Sequence, residues 1–128
     1  MSSVRYIFWG SVLLALAVAF GAFGAHALKS MLTPTQLTTF QTAVQYQFYH
    51  AFALILVGLL YRQKASTRLK QAGLAFFLGL IFFCGSLYVM TVGSLTRFDL
   101  KWVGAITPLG GISFMVGWVM VALTFSKK

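Results

Sequence analysis

The sequence has almost no negative charge and few charges of any kind. Asp99 is its only acidic residue, and charged residues make up 9% of the 128, against about 25% in a typical soluble domain. Paired carboxylates for catalysis are therefore excluded. The ten Lys and Arg residues lie in short clusters between long uncharged stretches, and the mean hydropathy is +0.87. This distribution is typical of a protein that crosses a membrane several times.

Cysteine is also scarce, and the positive charge is not gathered on a polar surface. The single cysteine, Cys84, lies in an apolar stretch, so an intramolecular disulfide is excluded. The net charge of +9 could suggest nucleic-acid binding, but a basic binding face requires a polar surface that this chain lacks. We therefore expect no nucleic-acid partner.

Four apolar stretches are long enough to cross about 30 Å of hydrocarbon, which takes roughly 20 residues. The loops between them are short: KSMLTPTQL, RQKASTRLK and SLTRFDLK. No repeat or second domain is visible, so the sequence predicts one all-α, integral-membrane four-helix bundle over residues 1–128. The predicted spans are 6–28, 38–61, 71–93 and 102–125.

The basic residues near the span ends are distributed unequally between the two sides. One side carries seven, namely Arg5, Arg62, Lys64, Arg68, Lys70, Lys127 and Lys128. The other carries three, namely Lys29, Arg97 and Lys101. The positive-inside rule therefore predicts that both termini and the 62–70 loop are cytoplasmic. We expect a bacterial cytoplasmic (inner) membrane, with anionic lipid attracted by Arg62, Lys64, Arg68 and Lys70. The alternative is that these charges only set the topology.

The N-terminus has some features of a signal peptide. A signal peptide has a basic residue, then an apolar run, then a cleavage site. Arg5, the run that follows it and the small-x-small sequence Ala25-His26-Ala27 resemble these three parts. The apolar run from Tyr6 to Phe23 is longer than the usual 7–15 residues of a signal peptide. We therefore favour an uncleaved first span.

The second span has a recognisable start and a polar half. Thr33 can cap the helix, Pro34 suits the first helical position, and Gln36 can complete a capping box. At 100° per residue, Gln47 falls on the border between two faces. The apolar face holds Leu37, Phe40, Val44, Phe48 and Ala51, and the polar face holds Thr38, Gln41, Thr42, Gln45, Tyr46, Tyr49 and His50.

Polar groups gather in the predicted outer half of the bundle, where hydrocarbon cannot satisfy them. A helix over 34–61 would exceed the hydrocarbon thickness by roughly 12 Å, so we expect 34–42 near the interface and 45–50 inside. The predicted pocket residues are His26, Gln45, Tyr46, His50, Ser86 and Thr107. Small residues should permit close helix packing there. Pro108, about one turn into the fourth span, should either kink the helix or break it beside a cavity. The predicted packing residues are Gly21, Gly24, Gly85, Pro108, Gly110 and Gly111.

The two histidines give only weak support to a metal or haem site. His26 and His50 lack a carboxylate or a nearby cysteine to complete a ligand set, and their estimated depths differ. We expect no metal or cofactor. Either histidine could relay protons, or could be neutral and hydrogen-bonded, His50 to Tyr46 or Gln47 across one helical turn. No nucleophile–base pair or phosphate-binding loop is present, so we do not expect an enzyme.

Four ordered motifs resemble a known family. GAFGAHAL, FQTAVQYQFYHA, GSLY and ITPLGGISFMVGW are similar to motifs of the domain of unknown function 423, small bacterial inner-membrane proteins related to eukaryotic transmembrane protein 256. The resemblance implies a four-helix membrane protein with no assigned activity. Many members carry an acidic residue where this chain has Gln45. The matching positions are Gly21, Gly24, His26, Gln45, Tyr46, His50, Ser86, Tyr88, Pro108 and Gly111.

Two functional hypotheses remain open from the sequence. The first is a polar pocket in the outer half that binds or passes a small molecule, a lipid or a proton. The second is a structural or assembly protein whose polar residues only join the helices. Homo-oligomerisation through the glycine-rich first helix is a third hypothesis. A cavity lined by the predicted residues would favour the first, and direct side-chain pairs without a cavity would favour the second.

Overall fold

The computed structural model describes residues 1–126, which form helices along most of their length. Lys127 and Lys128, which contributed to the orientation prediction, lie outside the described residues. Residues 1–126 contain five α-helices: α1 (Ser3–His26), α2 (Pro34–Gln63), α3 (Thr67–Gly79), α4 (Gly85–Leu95) and α5 (Thr107–Thr124). A π-helical turn (Leu80–Cys84) continues α3 into α4, and 3-10 turns occupy Leu28–Ser30 and Lys101–Ala105.

In the described part of the chain, four helical segments are long and apolar enough to cross a membrane. They are Ser3–His26, Pro34–Gln63, Thr67–Leu95 and Lys101–Thr124. The predicted all-α, four-span architecture is therefore confirmed. Below, the end of the bundle that carries the 27–33 and 96–106 connections is called the predicted outer end.

The start of α2 has the structure that its sequence predicts. Thr33 Oγ1 accepts a hydrogen bond from the backbone N–H of Gln36 at 3.3 Å, and Gln36 Oε1 accepts one from the N–H of Thr33 at 3.0 Å. Pro34 occupies the first turn, where no backbone donor is needed. This capping box fixes where the longest helix, of 30 residues, begins.

The helices are arranged with α2 and the third span on the inside. α1 packs mainly against α2, and α5 packs mainly against α3 and the π-helical turn. In the most apolar stretch of each span, 50% of the residues are buried in α2 and 44% in the third span. In each of the other two spans, 17% are buried. Two faces of α2 are therefore covered by protein, while α1 and α5 present broad apolar surfaces outward.

Close backbone approach occurs at some of the predicted packing residues and not at others. A Cβ atom on Gly24 would clash with the Phe40 ring, and one on Gly110 would clash with the backbone of Phe83. A Cβ atom on Gly21, Gly85 or Gly111 would meet no atom closer than 3.5 Å. The sequence motifs do not distinguish these two groups.

Of the two arrangements expected at Pro108, the fourth span has a break and not a kink within a continuous helix. α5 begins at Thr107, and a 3-10 turn precedes it. The proline therefore lies in the first helical turn, where its missing N–H breaks no hydrogen bond. Later in α5, Ser113 donates to the Ala75 carbonyl of α3 at 2.6 Å.

Candidate functional site

His50 is buried on α2, and both of its ring nitrogens are hydrogen-bonded. Nδ1 lies 2.9 Å from the carbonyl oxygen of Tyr46, and Nε2 lies 3.1 Å from the indole nitrogen of Trp118. A carbonyl can only accept and an indole N–H can only donate. The proton of His50 therefore lies on Nδ1, Nε2 accepts from Trp118, and the imidazole is neutral.

Aromatic rings from α2 and from α5 pack around this imidazole. The His50 ring stacks on Phe114 with a centroid distance of 3.5 Å and an interplanar angle of 13°. Tyr46 packs on Phe83 at 4.4 Å, and Trp118 meets Phe76 edge to face at 4.9 Å. Stacking fixes the ring planes, and the two hydrogen bonds fix the rotation of His50.

A groove of about 580 Å³ lies beside this cluster, between α2, α5 and the π-helical turn. The exposed side chains Ile112 and Met115 stand at its edge, at 53% and 62% exposure, so the groove opens sideways from the bundle. The groove residues are Tyr46, His50, Phe83, Pro108, Gly111, Ile112, Phe114, Met115 and Trp118. The absence of a side chain on Gly111 leaves part of this space open, because the nearest atom to a Cβ there would be Phe83 Cδ2, at 3.9 Å.

The Tyr46 hydroxyl is the free polar group of the groove. No group of residues 1–126 lies within hydrogen-bond distance of it, whereas every fully buried side-chain polar atom in that part of the chain has a partner. The hydroxyl is therefore not fully buried, and the Tyr46 side chain lines the groove. It can both donate and accept a hydrogen bond.

A second polar cluster, centred on Gln47, is closed. Its Nε2 donates to the carbonyl of Leu13 on α1 at 2.8 Å, and its Oε1 accepts from the Tyr88 hydroxyl on α4 at 2.6 Å. Gln47 is only 4% exposed. One amide thus joins three helices, and both of its polar atoms are paired with protein.

A further polar pair, Ser86 and Thr107, joins α4 to the start of α5. Ser86 Oγ donates to the carbonyl of Phe83 at 2.9 Å and lies 2.5 Å from Thr107 Oγ1. Because the single hydroxyl proton of Ser86 is directed at Phe83, Thr107 is the donor in the contact between the two hydroxyls. Both side chains are paired with protein, and neither lines the groove.

The six predicted pocket residues do not line one cavity. Tyr46 and His50 share the groove, and Ser86 and Thr107 pair with each other. His26, at the end of α1, is exposed, and so is Gln45, whose Nε2 donates to the Tyr49 hydroxyl at 2.6 Å.

The comparisons with known proteins agree with the fold. A family model described as "Protein of unknown function (DUF423)" matches residues 20–111. The chain belongs to the DUF423 family. The DUF423 chain is 38% identical over 122 residues to a UPF0382 membrane protein of Staphylococcus haemolyticus, covering 95% of both chains. It is 37% identical over 123 residues to the UPF0382 membrane protein YwdK of Bacillus subtilis, covering 95% of this chain and 96% of YwdK. No solved structure matches the chain.

Sequence reasoning missed the α5 side of the groove in this DUF423 protein. Phe114 and Trp118 lie four residues apart and therefore on one face of α5, and both belong to the ITPLGGISFMVGW motif region. A tryptophan inside an apolar span needs an acceptor for its N–H. His50, with one bare ring nitrogen, is the acceptor that this argument could have identified.

The described residues of the DUF423 chain contain no group of three or more His, Cys, Asp or Glu side chains that could hold a metal ion. Cys84 is buried and unpaired within the π-helical turn. His26 and His50 lie on different helices, and only His50 has a hydrogen bond to another described residue. The chemistry that the groove offers is therefore aromatic contact and one free hydroxyl.

Proposed function

We propose that this DUF423 protein is a non-enzymatic membrane protein that binds a lipid or another amphipathic molecule in the groove between α2 and α5. The observation that carries the proposal is a groove of about 580 Å³ that opens sideways and contains the unpaired Tyr46 hydroxyl. Ligand sites have volumes of roughly 300–1,000 Å³, with apolar walls and a few polar groups that orient the ligand. The groove has this composition.

The direction of the opening indicates where the ligand comes from. Ile112 and Met115 at the edge are exposed on the outside of α5, which faces acyl chains in a membrane-spanning protein. A ligand can therefore move in from the bilayer without crossing water. Its chain would lie against the rings of Phe83 and Phe114, and its hydroxyl or carbonyl group would hydrogen-bond to Tyr46.

The arrangement of His50 favours a binding wall over a proton relay. Its Nδ1 donates to a backbone carbonyl, and its Nε2 already accepts from Trp118. A second proton, on Nε2, would face the N–H of Trp118 and break that hydrogen bond. We therefore assign His50 the role of holding Trp118 and Phe114 in the groove wall.

The alternative function, structural joining of the helices, is favoured by the Gln47–Tyr88 and Ser86–Thr107 pairs. Both are direct contacts, at 2.6 and 2.5 Å, and none of these four side chains lines the groove. These pairs and the groove occupy different parts of the bundle. Joining the helices therefore accounts for the pairs, and it leaves the open groove beside Tyr46 unexplained.

We also propose that the protein lies in the bacterial cytoplasmic membrane with both termini in the cytoplasm. Lys64 Nζ donates to the Thr124 carbonyl at 3.4 Å, and an Arg68 guanidinium nitrogen donates to the Leu123 carbonyl at 2.8 Å. The basic α2–α3 connection and the end of α5 are therefore on one side of the bundle. Positive charge accumulates on that side, which supports a cytoplasmic location.

The binding proposal is tested by filling the groove without disturbing the packing. Gly111→Leu places a side chain in open space, since no atom lies within 3.9 Å of its Cβ position. Ala122→Leu introduces the same side chain at an exposed position of α5 outside the groove, and serves as the matched control. Tyr46→Phe removes only the hydroxyl.

The measurements are native mass spectrometry of the protein purified with bilayer lipid, and photolabelling with a diazirine-bearing fatty acid. We expect labelling of 108–118, loss of at least fivefold in retained lipid and label for Gly111→Leu, and a smaller loss for Tyr46→Phe. Ala122→Leu should behave as the parent protein. If a folded Gly111→Leu variant retains lipid and label at the parent level, the groove is not the binding site.

A further inference from the structure

α2 presents a continuous exposed stripe that no part of residues 1–126 covers. Its members follow one another at intervals of three or four residues, so they lie along one side of the helix. We call this set the α2 stripe: Thr38, Gln41, Gln45, Tyr49, Phe52, Leu56 and Leu59. Two of its members, Gln45 and Tyr49, immediately precede Tyr46 and His50 in the sequence.

The α2 stripe changes character along its length. Toward the predicted outer end it is polar, with Gln41, Gln45 and Tyr49, and beyond Tyr49 it is apolar. Gln45 lies 17 residues from Arg62, which corresponds to about 26 Å along the helix. With Arg62 at the inner boundary of about 30 Å of hydrocarbon, the amide of Gln45 and the ring of Tyr49 lie within the membrane.

Several hydrogen-bonding groups of the stripe have no partner in residues 1–126. Gln45 Nε2 donates to the Tyr49 hydroxyl at 2.6 Å, which leaves Gln45 Oε1 without a donor and the Tyr49 O–H without an acceptor. The Gln41 amide is exposed and has no partner in that range either. Acyl chains supply neither donors nor acceptors, so the Gln45 and Tyr49 groups carry a desolvation cost as long as the stripe faces lipid, whereas Gln41, about 31 Å from Arg62 along the helix, lies near the interface.

We propose that the α2 stripe is the interface of a parallel, two-fold symmetric dimer of this chain. All copies insert in the same orientation, so the two-fold axis is normal to the membrane and residues at one depth meet their own counterparts. A primary amide carries both donors and an acceptor. Gln41 and Gln45 can therefore pair with themselves across the axis, and the Tyr49 O–H of one copy can donate to Gln45 Oε1 of the other.

The rest of the stripe suits the same arrangement. Below Tyr49, the exposed side chains of Phe52, Leu56 and Leu59 at 60%, 38% and 47% exposure would pack against the same residues of the second copy. Spacings of three and four residues allow two parallel helices to pack along their whole length. In such a dimer, the polar residues of the stripe meet polar residues of the second copy, and the apolar residues meet apolar residues, at the same depth in the membrane.

The glycine-rich face of α1 is not available for this role. A Cβ atom on Gly10 would clash with Ile55 and with the carbonyl of Ala51, and one on Gly24 would clash with Phe40. Both glycines therefore serve the α1–α2 contact inside one chain. These glycines are therefore not free for a contact between copies, whereas the α2 stripe is exposed.

The proposal is tested by cysteine crosslinking of the full chain in membranes, in a Cys84→Ala background. We expect oxidant- or bismaleimide-induced dimers for Gln41→Cys and Gln45→Cys. Val18→Cys on α1 and Val119→Cys on α5, at 60% and 53% exposure, are the controls for random collision and should crosslink at least fivefold less. Equal crosslinking at all four positions, or crosslinking to a different protein without dimers, would overturn the proposal.

A second measurement does not depend on introduced cysteines. Fluorescence energy transfer between labelled copies in liposomes, followed as lipid dilutes the protein, gives the dimer dissociation constant. Gln45→Leu should weaken the dimer about 3- to 20-fold, the range that measured interhelical hydrogen bonds imply, and Gln45→Asn should restore part of it. A Gln45→Leu dimer as tight as the parent dimer would contradict the interface.

Discussion

The Tyr88 hydroxyl donates a 2.6 Å hydrogen bond to Gln47 Oε1 across 41 residues of sequence. The same amide donates to the carbonyl of Leu13, so α1, α2 and α4 meet at one side chain. Hydrocarbon offers no substitute for either bond. The pair therefore specifies which helices meet near the middle of the bundle, and its contribution to stability can be measured.

We expect Tyr88→Phe to lower the free energy of unfolding by about 1–2 kcal/mol, because it leaves the buried Gln47 oxygen without a donor. Gln47→Leu should cost at least as much, since it also leaves the Leu13 carbonyl without its donor. The double variant should be less destabilised than the sum by about 0.6–1.7 kcal/mol, the measured range for such pairs in membranes. Unfolding in mixed detergent micelles gives these values. Strictly additive effects would show that the two side chains do not interact.

Neighbouring glycines on α5 should respond differently to the same substitution. Gly110→Ala places a methyl group against the backbone of Phe83, which cannot move aside easily, and should cost about 1–3 kcal/mol. Gly111→Ala meets only Phe83 Cδ2 at 3.9 Å and should leave the melting temperature unchanged within a few degrees. Each variant is the other's control for helix propensity. Equal destabilisation would mean that the close approach at Gly110 is relaxed in the membrane.

The sequence predicts local features of this protein well and its long-range contacts poorly. The capping box of Thr33 and Gln36 depends on residues three apart, and it is present as predicted. Gln47 falls on the border of a two-faced helical wheel, yet it is among the most deeply buried polar residues. The wheel assumes one buried face, whereas α2 is covered on two sides by α1 and the third span.

The candidate site shows the same limit. The helical wheel placed Tyr46 and His50 on the polar face of α2, and it did not reveal that Trp118 is the partner of His50. Which side of each span faces its neighbours depends on helix rotation, and rotation is set by contacts such as the stacking of His50 on Phe114. Depth alone also grouped Gln45 with these residues, although it faces outward.

The hydrogen bonds of His50 predict a single tautomer at neutral pH. In nitrogen NMR spectra of the protein in lipid, His50 should show a protonated Nδ1 and an unprotonated Nε2, because Nδ1 donates to Tyr46 and Nε2 accepts from Trp118. Trp118→Phe should shift the Nε2 resonance and leave Nδ1 protonated. Spectra of a doubly protonated ring, or of an Nε2–H tautomer, would be incompatible with the assigned role of His50.

The basic residues around the α2–α3 connection should attract anionic lipid. Arg62, Lys64, Arg68 and Lys70 are all exposed, and each basic residue near an anionic surface contributes about 1 kcal/mol. Lys64 and Arg68 also bond to carbonyls of α5, so their replacement would disturb the fold as well. We therefore expect Arg62→Gln with Lys70→Gln to reduce enrichment of anionic lipid around the protein several-fold at low salt, with a smaller effect at high salt. Unchanged enrichment would show that these charges serve topology alone.

The orientation of the protein in the membrane determines which side of the bilayer each end of the groove faces. In a Cys84→Ala background, a membrane-impermeant maleimide added to intact spheroplasts should label Thr96→Cys, and should label Ser66→Cys only after permeabilisation. The physical reason is the larger number of basic residues beside Ser66. The reverse pattern would place Tyr46 and the polar part of the α2 stripe in the cytoplasmic half of the membrane. The groove would then take its ligand from the inner leaflet, whereas the two-fold contact between copies would be unaffected, because it depends only on all copies sharing one orientation.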